Sequence, residues 1–233
     1  MSKKLTLGLS IGFIIVELIL YCCIISGVLV VPCEFASVVV AFLFSLIFLS
    51  FKHNKYLTQL GLLFTVIADI FLVVISNRVQ SIAMTSFSIV QILYFVQLLL
   101  NSDSKLQNKL NIIIRGVLII VVEIVAIIIL KEKVDYVSLI SMFYYVNLIM
   151  NMIFAFIQVK KDCLFAIGLL LFLLCDTFVG FQMAFDIYIF ISHNSFIYKL
   201  FTFPFNFIWF FYLPSQTLIA LSLLKNKIID KNK

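Results

Sequence analysis

Apolar residues run in unbroken stretches along nearly the whole chain, interrupted only by short polar breaks. Eight runs can be drawn, approximately 5–27, 35–51, 56–76, 81–100, 110–130, 136–159, 163–184 and 201–224. A bilayer core of about 30 Å takes about 20 helical residues at about 1.5 Å each, so each run suits one crossing. The runs are continuous rather than alternating, which excludes the period-2 strands of a transmembrane β-barrel. The breaks carry turn and charge signals: Val31-Pro32-Cys33-Glu34, Lys52-His53-Asn54-Lys55, Asn77-Arg78, 101–111, 131–135, Lys160-Lys161-Asp162 and His193-Asn194-Ser195. None has room for a separate domain. The pattern therefore predicts an all-α polytopic membrane protein, with eight transmembrane helices in a single integral membrane domain over 1–233.

Composition agrees with the pattern. The chain has 233 residues, 64% hydrophobic and 12% charged, against roughly 45–50% and about 25% in soluble domains. The segment 1–4 and the run after it have the basic flank of a signal peptide. The run is too long for one and no small-x-small cleavage site follows, so it reads as the first span. Cys22, Cys23, Cys33, Cys163 and Cys175 show no CxxC spacing and read as small buried hydrophobes.

The net charge of +6 needs no nucleic-acid partner, because the basic residues flank the spans. With eight spans the termini share a side. One face then holds Lys3, Lys4, Lys52, Lys55, Lys105, Lys109, Arg115, Lys160, Lys161, Lys225, Lys227, Lys231 and Lys233. The other holds Arg78, Lys131, Lys133 and Lys199. By the positive-inside rule both termini are expected in the cytoplasm, with the protein in the cell membrane.

The chain also repeats itself. Gly61-Leu62-Leu63, Asp69 and Phe71 recur as Gly168-Leu169-Leu170, Asp176 and Phe178, an offset of 176 − 69 = 107. Glu17 recurs as Glu123 at an offset of 106, and Lys52 as Lys160 at 108. Two parallel tandem four-helix halves are expected, about 1–108 and 109–233, with a site at their interface.

Four carboxyl groups fall within spans: Glu17, Asp69, Glu123 and Asp176. An Asp at a helix centre costs on the order of 2.5–3.5 kcal/mol even on the mild insertion scale, so these groups should face the bundle interior or a wet cavity. No lysine or arginine is expected at their depth. Counted from the flanking lysines at about 1.5 Å per residue, all four lie about 20 Å from the basic face. The descending helices add Gln91, Asn147 and Tyr212 at a similar count, which suggests one polar layer sharing one cavity. Asp69 and Asp176 stand out, each set deep in an apolar helix two turns after a glycine that permits close helix approach. Polar residues such as Gln91 and Asn147 also serve as interhelical glue.

Other chemistries find no support. His53 and His193 are solitary, so no metal site is expected. There is no GxSxG elbow and no GxxxxGK[ST] or GxGxxG phosphate loop, and no cofactor is expected. The aromatic stretch Phe201, Phe203, Phe205, Phe207, Trp209, Phe210, Phe211 and Tyr212 reads as an interfacial belt that could line a lipid entrance.

At these residues the chain resembles the lysoplasmalogenase-like YhhN family of eight-span membrane proteins. The stretch from Gly61 to Asp69 is similar to the family's G-L-x-F-S-x-x-G-D signature, and that from Gly168 to Asp176 to its G-A-x-x-F-x-x-S-D signature. Tyr144, Tyr145, Met152 and Ala155 resemble a Y…M…A pattern, Tyr212 and Gln216 a Y-x-x-x-Q pattern, and Pro32 stands where the family often has Lys-Pro. Ala68 and Cys175 differ from the family at the positions before the aspartates. Gln91-Ile92-Leu93-Tyr94 stands where the family has H-x-x-Y, and glutamine cannot shuttle a proton as histidine can.

The resemblance implies hydrolysis of the vinyl ether of a lysoplasmalogen to a fatty aldehyde and a glycerophospho-headgroup, with a lysophospholipid as substrate and membrane lipid as surroundings. That chemistry needs a carboxylic acid kept neutral by an apolar site and a second carboxylate to stabilise an oxocarbenium ion or position water. Asp69 and Asp176 are assigned these two roles. Tyr94, Gln91, Asn147, Tyr212 and Gln216, with Glu17 and Glu123, are the candidates for orienting water or substrate. Two alternatives use the same residues: a proton- or cation-coupled transporter, and a non-catalytic lipid-binding protein. A transporter is disfavoured by the lack of an obvious unwound segment beside the carboxylates.

Overall fold

The computed structural model describes residues 3–48, 54–75, 79–187 and 205–224. The expectations for Lys52, His53, Arg78, His193, Lys199, Phe201, Phe203, Lys225, Lys227, Lys231 and Lys233 lie outside these residues. The described chain is all helix, and eight helices are long and apolar enough to cross a membrane. They are α1 (Lys3–Ile25), α2 (Val30–Ile47), α3 (Lys55–Asp69), α4 (Gln80–Leu100), α5 (Lys105–Leu130), α6 (Tyr136–Ile157), α7 (Cys163–Ile187) and α8 (Phe207–Leu221). This is a membrane protein, and the sequence boundaries hold to within a few residues except that α5 starts five residues earlier and α8 six residues later than expected, and except at α2. That helix begins at Val30, with Pro32 in its first turn, where proline is tolerated because the first amide donors lack helical acceptors. Glu34, read from sequence as part of a break, is buried inside it.

Local chemistry sets several helix starts. Ser104, Asp135 and Asn206 accept backbone N–H bonds from Gln107, Ser138 and Trp209 at the N-termini of α5, α6 and α8. The Ser138 amide and hydroxyl hold the Asp135 carboxyl below the usual carboxylate range. Gly27 at φ 76° opens the turn between α1 and α2, a conformation that glycine adopts without strain.

The helix α3 does not continue as a regular α-helix. Immediately after Asp69 the chain widens into a π turn over Ile70–Val74, where the Ile75 N–H bonds to Ile70 O at 2.9 Å. Nothing in Ile70-Phe71-Leu72-Val73-Val74 signals a break, and the sequence predicts a straight helix here. Such turns often mark functional sites.

Helix contacts among the first four helices resemble those among the last four. The pairs α1·α2, α2·α3 and α3·α4 pack as α5·α6, α6·α7 and α7·α8 do, and α4·α6 has its counterpart in α2·α8. The densest packing is within α3·α4 and α7·α8 and across α4·α6, where Leu62, Val90, Leu148, Leu169, Phe172 and Ile219 are fully buried. Helix α5 is peripheral: only Asn111, Arg115 and Ala126 are buried along it, while Ile113, Val117, Ile120, Ile124 and Ile128 are exposed, as suits a lipid-facing surface.

The connections on the side of the α3 start meet one another. Asn54 Nδ2 donates to Asn101 Oδ1 at 3.3 Å, Lys161 Nζ donates to Asn101 O at 2.7 Å, and Lys161 pairs with Asp103 at 2.5 Å. Beneath them Lys55 Nζ pairs with Asp162 Oδ2 at 2.6 Å and donates to Ser222 O at 2.9 Å. The ion pair joins α3 to the start of α7.

Candidate functional site

Two helices bring the aspartates to one place. Asp69, at the last α-helical position of α3, and Asp176, midway along α7, line the same cavity of about 420 Å³. That volume falls within the ~300–1,000 Å³ of typical small-ligand sites. The Tyr212 hydroxyl on α8 donates to Asp69 Oδ2 at 2.7 Å, and the Tyr144 hydroxyl on α6 donates to Asp176 Oδ2. A different helix thus orients each carboxyl. Among the described residues, no lysine or arginine lines the cavity.

The rest of the wall is apolar and aromatic. Leu72 and Val73 come from the π turn, Met84 and Phe87 from α4, and Trp209 from α8. The Phe172 ring, fully buried, packs against Phe87, Tyr144 and Tyr212 and braces both tyrosines. Tyr145 and Thr177 share a 2.8 Å hydrogen bond at the wall. The lining also reaches Met142, Gly180 and Phe181, which are exposed on the outer surface of α6 and α7. The cavity therefore runs from the two carboxyls to the outer surface of α6 and α7.

The glycines two turns before the aspartates make the approach possible. A Cβ on Gly61 would stand 2.3 Å from Tyr94 Cε1, and one on Gly168 would stand 2.7 Å from Ile219 Cγ1 and 3.2 Å from Ser215 O. Helices α3·α4 and α7·α8 thus close through glycine at corresponding positions.

The seven-membered polar layer expected from counting does not form one site. Of its members, Asp69, Asp176 and Tyr212 line the cavity. Glu17 is 2% exposed on α1, and neither carboxyl oxygen has a partner among the described residues. Glu123 is half-buried on peripheral α5. Gln91 and Asn147 belong to a different cluster, built around Arg115. Counting along a helix gives depth alone, whereas each residue also turns the side chain by about 100°, so equal depth does not mean a shared face.

Arg115 corrects its own placement among the basic residues that flank the spans. It is 4% exposed rather than flanking α5. Its guanidinium donates from Nη1 to Asn147 Oδ1 at 2.7 Å, from Nη2 to Asn151 Oδ1 at 2.8 Å and from Nε to Asn111 Oδ1 at 3.3 Å. It also lies 3.9 Å over the Phe95 ring. Asn151 Nδ2 in turn donates to Gln91 O and Oε1 at 2.7 and 2.9 Å. The signal was present in the sequence: Asn111/Arg115 on α5 and Asn147/Asn151 on α6 both stand at i, i+4, one polar stripe facing another. Tyr144 was visible only within a family pattern, because a lone tyrosine in an apolar run carries no mark of its partner. Of the other orienting candidates, Tyr94 packs against Gly61 and edge-on to Phe165, and Gln216 lies one turn along α8 from Tyr212.

Residues 31–223 match the YhhN family. The chain belongs to that family. The match spans both aspartate signatures and all of α3 to α7 of this YhhN protein. No curated protein and no solved structure gives a match.

Proposed function

We propose that this YhhN protein is a membrane-embedded hydrolase of the lysoplasmalogenase type, cleaving the vinyl ether of a lysoplasmalogen to a fatty aldehyde and a glycerophospho-headgroup. The observation that carries the reading is the pairing of Asp69 and Asp176, each held by a tyrosine hydroxyl, on one apolar cavity that reaches the outer surface of α6 and α7. A single-chain lipid enters laterally past Met142 and Phe181, with its acyl chain against the apolar wall.

In this mechanism one aspartic acid gives its proton to the β-carbon of the vinyl ether, leaving an oxocarbenium ion. The other carboxylate faces that cation and takes a proton from the water that attacks it. The resulting hemiacetal breaks its bond to the glycerol oxygen, which leaves with a proton as the alcohol, and the aldehyde remains. Water is consumed and the protons balance. The aromatic rings of Tyr144, Trp209 and Tyr212 add cation–π stabilisation to the oxocarbenium ion. No cofactor is invoked. Both termini are proposed to be cytoplasmic in the cell membrane, since Lys55, Lys105, Lys109, Lys160 and Lys161 gather at the end of the bundle where α1 begins.

One observation favours a second reading. The π turn beside Asp69 is the irregular backbone that a proton-coupled transporter places at its ion site. One experiment separates the two readings. Purified protein is incubated with lysoplasmenylethanolamine and aldehyde release is measured beside Asp69→Asn and Asp176→Asn. The hydrolase reading expects turnover in the wild type and a loss of at least about a hundredfold in each variant. Full activity in either variant removes that aspartate from the mechanism. No aldehyde from any vinyl ether lipid overturns the hydrolase reading in favour of transport or lipid binding.

A further inference from the structure

The face of α3 that ends at Asp69 is polar along its whole length. Lys55, Thr58, Gly61, Thr65 and Asp69 follow one another at three- and four-residue steps, so they share one side of the helix, and none is more than 5% exposed where it carries a polar side chain. The stripe spans 69 − 55 = 14 residues, or about 21 Å. In a bundle that is 64% hydrophobic, such a line of buried polar groups requires a reason.

Each level of the stripe meets a group from another helix. At the end of the bundle Lys55 pairs with Asp162 and donates to Ser222 O. One turn further in, the Thr58 hydroxyl donates to Gln97 Oε1. Next, Gly61 leaves room for the Tyr94 ring, whose hydroxyl has no partner among the described residues although Tyr94 is 0% exposed. The Thr65 hydroxyl donates to Gly61 O at 3.0 Å and keeps its lone pairs as acceptors. At the top Tyr212 donates to Asp69, and one turn below it on α8 Gln216 is 1% exposed with both amide atoms unpartnered among the described residues.

Three orphaned polar atoms, on Tyr94 and Gln216, thus lie within the two turns beneath Asp69. A buried donor or acceptor left unmatched costs about 1–3 kcal/mol, and in native proteins such groups are matched by ordered water where the space is polar. The geometry points to a buried polar column along α3 that carries water and protons between the Lys55 end of the bundle and Asp69. Water moves along it as H2O, and a proton moves by hops in which each hydroxyl or water accepts one proton and passes on another. Lipid and water would then reach Asp69 from different directions, the lipid from the side and the water along α3.

The test needs no substrate. The full-length protein in nanodiscs is exposed to hydroxyl radicals generated by X-ray radiolysis, which oxidise buried side chains only where water lies beside them, and sites are read by mass spectrometry after correction for intrinsic reactivity. Tyr94 should be labelled many-fold faster than Phe154, although both are at most 1% exposed. Thr65→Val and Gln216→Leu should each reduce labelling at Tyr94 several-fold, and Thr65→Ser should preserve it. Labelling of Tyr136, which is 57% exposed, should be unchanged in every variant that is folded. Tyr94 labelled no faster than Phe154 in the wild type overturns the column without recourse to any variant, as does unchanged Tyr94 labelling in both folded variants. An enzyme assay that finds no vinyl ether hydrolysis leaves this result untouched, so the two readings fail separately.

Discussion

Two tyrosines and one arginine show how single side chains acquire roles from their surroundings. Tyr144 and Tyr212 each donate a hydroxyl to one aspartate from a different helix. A hydrogen bond to a charged group contributes about 1.5–3 kcal/mol. Tyr144→Phe and Tyr212→Phe are therefore expected to slow aldehyde release by roughly ten- to a hundredfold each while leaving the fold intact; rates within twofold of wild type would show that the hydroxyls do not orient the acids. Arg115 acts on stability instead. It ties α5 to α6 through Asn147 and Asn151 and also binds Asn111 on its own helix, satisfying three asparagine oxygens at once. Arg115→Ala should lower unfolding stability in detergent by at least about 2 kcal/mol, because three buried acceptors lose their donor. Arg115→Lys should not rescue it, since an ammonium cannot reproduce the planar fork. Full rescue by lysine would mean that the charge alone matters.

At the scale of helices, the two tight pairs depend on glycine. Tyr94 is fully enclosed and cannot move aside for a Cβ on Gly61, and the Cβ on Gly168 would press on the backbone of Ser215 as well as on Ile219. Gly61→Ala and Gly168→Ala are expected to cost about 1–3 kcal/mol each. Gly8 and Gly12 on α1 face nothing within 4 Å, so alanine there should be neutral or stabilising through helix propensity. Thermal unfolding of the four variants tests the contrast; equal effects at all four positions would show that the glycines before the aspartates do not set the helix spacing. The same spacing explains why these signatures could be read from sequence. A glycine two turns from an aspartate in an apolar helix is a local pattern with a local steric meaning. The π turn after Asp69 had no such mark, since nothing in Ile70–Val74 distinguishes those five residues from the apolar helix before them.

Across the whole molecule, we propose that the two halves are tandem copies. The support is the matching set of helix contacts, the two glycine seams and the Lys55–Asp162 pair, whose members stand 107 residues apart, the same offset as Asp69 and Asp176. The halves are not used alike. Asp69 takes its tyrosine from α8 in the other half, whereas Asp176 takes its tyrosine from α6 in its own half. Orientation is testable at this scale: a reporter active only in the cytoplasm should function when fused after Lys233 and fail when inserted beside Val134 between α5 and α6. The reverse result would invert the topology.

The number of spans and the approximate position of most of them were determined by the sequence alone, because the cost of exposing backbone and charge to lipid acts on each segment independently. Asp69 and Asp176 were legible as candidates for the same reason, as an apolar helix does not carry a deep carboxylate without cause. Direction around each helix axis is different. It depends on which helices become neighbours, and that is a property of packing. Tertiary structure therefore decided that Asp69 and Asp176 share a cavity while Glu17 and Glu123 do not, and that Gln91 and Asn147 serve Arg115. It also decided that Arg115, counted from sequence among the flanking charges, lies inside the bundle, where three asparagines replace the water it would otherwise require.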